Sequence, residues 1–400
     1  MPVESPVHAA TSPRRESFHQ WHVITPEYPP QVGGVSDYVQ QLSEALSHAG
    51  DEVHVWCPAS SSSARGAAGV ILHPSLGRFT RQDLKQAGRE LDRFPQPRRV
   101  LVQWVPHGYG YHSMNVAFCE WLWRRSWRYG DEIDIMVHEP CLAFRVGAWR
   151  QNFPALIHRL MTILLLRAAH RVWVAIPAWE RRWQPYRLGR RVPFRWLPVP
   201  SNISISQNSS AIDAARKQYR TAAGPLIGHF GTYGVPVTSI LEPVLLALAD
   251  DPGGRSVMLI GAGSESFRER LVRTAPRLAG TIVATGTLSA EQVSCHIAAC
   301  DLLIQPYPDG VTSRRTSFMV GLAHGKPIVT TAGSLTEPLW LTARAAALAP
   351  VGDTNAFVEL IRKLERDMRE RELLAAAAKE LYEQRFDLRH VVSALLSTNA

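Results

Sequence analysis

The stretch from Gln305 to Ala332, QPYPDGVTSRRTSFMVGLAHGKPIVTTA, gathers residue types that handle an anion. An apolar run, Leu302 to Gln305, ends in a Pro/Asp/Gly loop. Thr312, Ser313, Arg314 and Arg315 then open a segment of helical character that closes at Gly325 and Pro327. The pattern predicts strand, loop, helix, strand. A helix start preceded by Gly and Ser/Thr offers unpaired backbone N–H groups and the positive end of a dipole, and two guanidinium groups beside it suit a phosphate. A hydroxyl cap on a core helix, with the arginines in water, accounts for the same residues. The choice therefore depends on what the rest of the chain positions around this corner.

Residues 21 to 25, WHVIT, form a short apolar run followed by the Pro-rich loop PEYPPQVGG. Val35, Tyr38, Val39, Leu42 and Leu46 then recur at helical spacing until Gly50, and Val53 to Cys57 reads as the next strand. Gly33 and Gly34, adjacent before a helix, let backbone approach a ligand with no Cβ in the way, although many such loops are only turns. Further strands are expected at Val70 to Leu72, Val100 to Val105 and Ile133 to Val137, with a helix from Arg81 to Leu91 and a Trp-rich one around Trp121, Trp123 and Trp127. The strand at 100–105 runs into PHGYGYHSMN, and the one at 133–137 into His138 and Glu139. Strands alternating with helices argue for a parallel, doubly wound sheet, which places ligands at the carboxyl ends of its strands. Gly33, Gly34, His107 and His138 all fall on that edge.

An apolar helix over 155–169, a strand from Arg171 to Ile176 and the Arg/Trp-rich piece at 179–196 complete the first half. A polar stretch, SQNSSAIDAARKQYRTAAG, reads as a linker with a short helix, and from Pro225 the alternation restarts through LIGHFG, SVMLIGAGSE, TIVATG and DLLIQPY. The expected organisation is a disordered leader over 1–19, a Rossmann-like domain over 20–203, a linker over 204–224, a second Rossmann-like domain over 225–385, and a terminal helix over 386–400 that returns to the first domain.

Composition sets broad limits. The chain has 400 residues, a 46% apolar and 20% charged make-up and a net charge of +9, with arginine supplying nearly all the positive charge. Length and make-up suit a soluble two-domain protein, and the charge favours anionic partners. The five cysteines are odd in number and scattered, with no CxxC pair, which reads as free thiols in a reducing compartment and neither a disulfide framework nor a zinc site. Leu160 to Leu166, the most apolar window, is bracketed by arginines and is far short of a membrane span. The polar, Pro/Ser-rich N-terminus lacks the apolar core of a signal peptide, so the expected location is cytoplasmic.

Taken together, ITPEYPPQVGGVSDYVQQLSEALSHAGDEVHVW, LPVPSNI, GAGSESFRERL, ATGTLSAEQV and DLLIQPY resemble the retaining glycosyltransferases of family 4, over nearly the whole chain. The resemblance implies a GT-B fold, α/β with two Rossmann-like doubly wound domains facing across a cleft. It implies that Gly33 and Gly34 lie against the donor diphosphate and acceptor, that His138 faces the donor sugar, and that Asp309 stands near the first glutamate of the family's Glu-x7-Glu motif. His138 and Asp309 are then the catalytic pair, Thr312, Ser313, Arg314 and Arg315 the diphosphate site, and His107 and Glu139 the sugar or acceptor pocket. The implied co-substrate is a nucleotide sugar, with no resident cofactor or metal, and the acceptor is a glycan, a lipid-linked molecule or a small molecule, not nucleic acid.

Two departures from the family pattern stand out. Counting back from Gly325 and Pro327 puts Val320 where the second glutamate belongs, which removes the usual ribose contact. The basic residues expected after the first strand of the second domain are replaced by HFGTYG, leaving Arg314 and Arg315 to supply that charge. No Asp-x-Asp sits at a strand end, and Asp131 and Asp134 precede one. Other readings stay open: a nucleotide-sugar epimerase using the same cleft, a nicotinamide oxidoreductase on the partial glycine fingerprint at 261–263, and a binding protein with a degenerate cleft. The basic, Trp-rich patches WLWRRSWR and 179–196 read as packed amphipathic faces, with docking at a membrane surface, toward a lipid-linked acceptor, as the alternative.

Overall fold

A computed structural model describes residues 19–397 except 32, 59–68, 111–112, 145, 148 and 251–253. Two parallel sheets organise the chain. The first contains β1 (Gln20–Ile24), β2 (Glu52–Trp56), β3 (Val70–His73), β4 (Arg99–Trp104), β5 (Glu132–Val137), β6 (Ala169–Val174) and β7 (Phe194–Trp196), in the order 3-2-1-4-5-6-7. Its helices are α1 (Gly34–His48), α2 (Arg81–Leu91), α3 (Val116–Tyr129), α4 (Trp149–Ala168) and α5 (Pro177–Trp183). The second contains β8 (Leu226–Phe230), β9 (Ser256–Ile260), β10 (Ile282–Ala284), β11 (Leu302–Gln305), β12 (Ile328–Ala332) and β13 (Ala347–Pro350), in the order 10-9-8-11-12-13. Around it lie α6 (Ser209–Tyr219), α7 (Val235–Ala249), α8 (Ser264–Thr274), α9 (Ala290–Ala299), α10 (Thr316–Ala323), α11 (Pro338–Thr342), α12 (Thr354–Arg366) and α13 (Met368–Arg385), and α14 (Leu388–Leu396) follows.

The near-continuous apolar strands are what a sheet covered on both faces requires. Val53, Val55, Val100, Val102, Ile133, Ile135, Val172 and Val174 are all buried in the first core, and Leu303, Met258 and Ile260 in the second. Strand order reverses at β1/β4 in one sheet and at β8/β11 in the other, so each sheet opens a crevice beyond its carboxyl edge. The leader expected over 1–19 falls outside the described residues except at His19, whose backbone N–H donates to Asp51 at 3.3 Å. Within 204–224, α6 packs on α9 and puts Ala215 into the second core. Val391 and Leu395 of α14 are buried in the first core, against α1. Among the described residues no helix is long and apolar enough to cross a membrane.

One local expectation needs revision. The helix placed over 155–169 begins at Trp149, with Pro154 inside it; the proline forgoes one intrahelical hydrogen bond without ending the helix. Asp131 and Asp134 are committed to buried pairs. Asp131 takes Arg98 at 2.8 Å and Arg125 at 2.5 Å, while Asp134 accepts from the Trp173 indole at 3.0 Å.

Several histidines are held neutral by burial. His22 accepts from the Trp56 indole at 3.3 Å and stacks on His54 at 5.2 Å between ring centres; burial, then the neighbouring imidazoles, push its pKa to about 3. Burial alone lowers His229 to about 3. A histidine whose folded pKa lies below its unfolded value of about 6.5 contributes stability above that value and loses it as pH falls toward the folded pKa. Stability should therefore fall between pH 6.5 and pH 4, by up to about 1.4 kcal/mol per pH unit for each fully buried imidazole, and the melting temperature with it. A melting temperature unchanged from pH 7 to pH 4.5 contradicts this.

Candidate active site

The loop after β11 is fixed before it reaches the anion corner. Gln305 donates to the Phe230 carbonyl at 3.0 Å and accepts, through its own carbonyl, from Thr330 at 2.6 Å. Gly310 has a φ of +86°, and a Cβ there would lie 2.3 Å from the Gly333 nitrogen, so only glycine allows the two loops to meet. This contact sets Asp309, whose carbonyl accepts from Leu335 N–H at 3.0 Å. Its carboxylate stands 3.9 Å from Nη2 of both Arg314 and Arg315.

The two arginines are crowded and poor in acceptors. Arg314 lies over the Trp179 indole at 5.4 Å and reaches Glu139 at 3.8 Å; Arg315, the N-cap of α10, lies over the Tyr307 ring at 4.8 Å. The Nε atoms of both are buried without an acceptor. Burial, then repulsion by Arg315, lowers the Arg314 pKa to about 10, which leaves it a cation at neutral pH. Two desolvated cations at a helix start, held by aromatic faces and short of acceptors, form a corner that an anion would complete.

The facing wall comes from the ends of β4 and β5. Glu139 meets His107 at 3.5 Å; the hydrogen bond raises the His107 pKa and lowers that of Glu139. His107, Glu139, Asp309 and Arg314 share a cavity of about 340 Å³ with His158, Trp179 and Arg182. His138 stands just behind that lining. Its Nε2 meets Gln103 Oε1 at 2.8 Å, its ring receives the edge of Tyr38 at 5.1 Å, its carbonyl accepts from Trp179 at 3.0 Å, and burial lowers its pKa to about 4.

Two expected ligand contacts, at Gly33 and Ser313, are engaged within the protein. The N-terminus of α1 holds the chain's own carboxylate: Glu27 accepts from Val35 N–H at 3.2 Å and Ser36 N–H at 3.0 Å, and a Cβ on Gly33 would lie 2.4 Å from its oxygen. Gly33 thus makes room for Glu27, and Gly34 has open space around it. Ser313 is a tie between the two halves. Its N–H donates to the buried Glu337 at 3.1 Å, its hydroxyl donates to the Ala175 carbonyl at 2.9 Å and accepts from the Trp196 indole at 3.2 Å, and its carbonyl accepts from Val199 at 3.0 Å. Thr312 is fully buried and its hydroxyl has no partner, so it backs the corner from inside. Val320 is fully buried in the second core and offers nothing to a ribose.

Sequence reasoning missed Glu27, Gln103, Trp179 and Glu337. For Glu337 a local signal exists, because it precedes Pro338 at a helix start. Gln103 and Trp179 act through partners far along the chain, and Glu27 through a helix start across a loop from it.

No family model matches the chain. It is 23% identical over 383 residues to a phosphatidyl-myo-inositol mannosyltransferase of Mycobacterium leprae, covering 91% of this chain and 92% of that protein. Among solved structures it is similar to the sucrose-phosphate synthase of Thermosynechococcus elongatus, with a TM-score of 0.72, 17% identity and coverage of 95% and 98% of the two chains. It is also similar to Anabaena HepE in complex with UDP-glucose, with a TM-score of 0.65, 16% identity and coverage of 95% and 99%. The fold is GT-B, as the sequence motifs implied.

Proposed function

We propose that the chain is a glycosyltransferase that moves a hexose-type sugar from a nucleotide diphosphate donor to an acceptor hydroxyl, with retention and without a metal. The observation that carries this reading is the Arg314/Arg315 pair, whose buried Nε atoms lack acceptors beside a cavity shared by Asp309, Glu139 and His107. Breaking the bond between an anomeric carbon and a diphosphate builds charge on the leaving oxygen, and fixed cations with helix N–H groups stabilise it without reorganising. The two arginines take that role. Asp309 accepts from donor hydroxyls, and Glu139 with His107 lines the acceptor side. Relatives named for mannosyl transfer and for a complex with UDP-glucose support a nucleotide-sugar donor. The acceptor is a glycan, a lipid-linked molecule or a small molecule in the same cavity. Cytoplasmic placement, with contact at a membrane surface when the acceptor is lipid-linked, accords with this reading.

A thermal-shift screen across UDP-, GDP- and ADP-sugars tests the donor, because a ligand bound only to the folded state raises the melting temperature. At least one donor should raise it, and the same donor should be consumed only when an acceptor is added. Consumption with a rearranged sugar and no acceptor would instead indicate an epimerase. Transfer should also persist after exhaustive EDTA treatment; a rate that vanishes and returns with Mn²⁺ or Mg²⁺ refutes the metal-free reading.

A further inference from the structure

Away from the cleft, α2 and α3 pack with two basic stripes facing one another. Arg81, Lys85 and Arg89 follow at four-residue spacing on α2, and Arg124 and Arg128 do so on α3, which puts each set on one helix face. With Arg125 they line a single cavity of about 470 Å³ that shares no residue with the one containing Asp309 and Arg314.

The cavity's carboxylates are Asp92 and Glu120, and both are taken. Asp92 pairs with Arg125 at 2.9 Å and Arg98 at 3.6 Å, and Glu120 with Arg124 at 2.6 Å and Arg81 at 3.7 Å. Lys85, Arg89 and Arg128 are left outside any ion pair among the described residues. Like charges four apart on a helix repel, and here two such rows converge with the Glu120 carboxylate bridging only Arg81 and Arg124.

The base of the cavity is aromatic. Arg125 is buried, its guanidinium 4.7 Å from the Tyr129 ring centre and 5.8 Å from that of Trp121, and its Nη2 has no acceptor. Gly88 leaves the α2 side of the base bare, and a Cβ there would lie 3.4 Å from the Trp121 indole nitrogen. The outcome is a concave site with an aromatic base, a buried cation short of one acceptor, and a rim of uncompensated positive charge.

We propose that this groove is a second, non-catalytic binding site for a phosphate-bearing ligand with at least two anionic groups. Guanidinium forks match phosphate oxygens in pairs, and the rim cations sit where several such oxygens can be met together. The half-buried rings of Trp121 and Tyr129, which line the cavity, receive a flat or apolar part of the same ligand. A soluble polyphosphorylated molecule and a phospholipid headgroup share this chemistry.

The test uses the full-length protein carrying Arg314→Ala and Arg315→Ala, so that the cleft does not contribute. Inorganic tripolyphosphate is titrated calorimetrically at moderate salt, and sedimentation is measured with phosphatidylcholine vesicles with and without phosphatidic acid. Saturable binding to either probe is expected, falling at least about tenfold when Lys85→Ala, Arg89→Ala and Arg128→Ala are added. Tripolyphosphate binding without vesicle capture assigns a soluble ligand; capture that requires phosphatidic acid assigns a headgroup. The triple substitution should leave the melting temperature unchanged or raise it, because it removes repulsion. Should the triple variant fail to fold, Lys85→Ala at its exposed helix position must still weaken binding. Binding to neither probe, or binding indifferent to these substitutions, overturns the proposal.

Discussion

Replacing Arg314 or Arg315 by alanine is expected to weaken nucleoside diphosphate binding by about 1–3 kcal/mol each, about 5- to 150-fold in Kd. Each arginine lies 3.9 Å from Asp309 and against an aromatic face, and each keeps a buried Nε without an acceptor. A desolvated donor that gains a phosphate oxygen contributes more than one in water, so the loss should exceed that of a rim contact. Lysine should restore little of it, because an ammonium neither stacks on Trp179 or Tyr307 nor makes a forked contact. The two losses should not add: removing Arg315 relieves the repulsion that helps lower the Arg314 pKa and leaves Asp309 to pair with Arg314 alone. Calorimetric titration of the nucleoside diphosphate into each single variant decides the matter. Unchanged affinity in both would place the diphosphate elsewhere.

The reason these arginines were visible in the sequence is that the information is local. A Gly and two hydroxyls before an apolar helical run announce a helix start, and the structure adds only that Arg315 is the N-cap and α10 begins at Thr316. The parallel sheets were legible in the same way, since runs such as Val100 to Val105 are long enough and apolar enough to be covered on both faces. What escaped is non-local. Glu27 sits eight residues before the Val35 N–H it caps, Ser313 lies 24 residues from Glu337, and Gln103 lies 35 from His138. In each case the fold brings a polar partner from elsewhere to a group that sequence alone leaves vacant. That is why Gly33 and Ser313 read as ligand contacts and are instead engaged within the protein. Arg314 and Arg315 each keep a buried Nε without an acceptor, because the carboxylates that do arrive, Asp309 and Glu139, stand no closer than 3.8 Å to either guanidinium.

Asp309→Asn and His138→Ala should each lower turnover by about tenfold to a thousandfold while nucleoside diphosphate affinity changes little; the melting temperature should hold for Asp309→Asn and fall for His138→Ala, which leaves a cavity and strips Gln103 of its partner. Asp309 lines the cavity at the carboxyl edge of the second sheet, and His138 stands at that of the first, behind the lining and adjacent in sequence to Glu139, which does line it. Closure of two domains about the donor sugar would bring both toward it. Their contributions differ in kind. In the proposed reaction the carboxylate would accept from sugar hydroxyls, and it stands 3.9 Å from both arginines, so its amide should fix hydroxyls less firmly and leave both cations less restrained. The imidazole is neutral, because burial holds its pKa near 4. It acts through hydrogen bonding, with Gln103 on Nε2 setting which nitrogen carries the proton. A neutral imidazole makes a pH-dependent test possible: across pH 5.5 to 8 the turnover of the wild type should show no titration that His138→Ala removes. Wild-type turnover in either variant, with the true donor and acceptor, would make that residue structural.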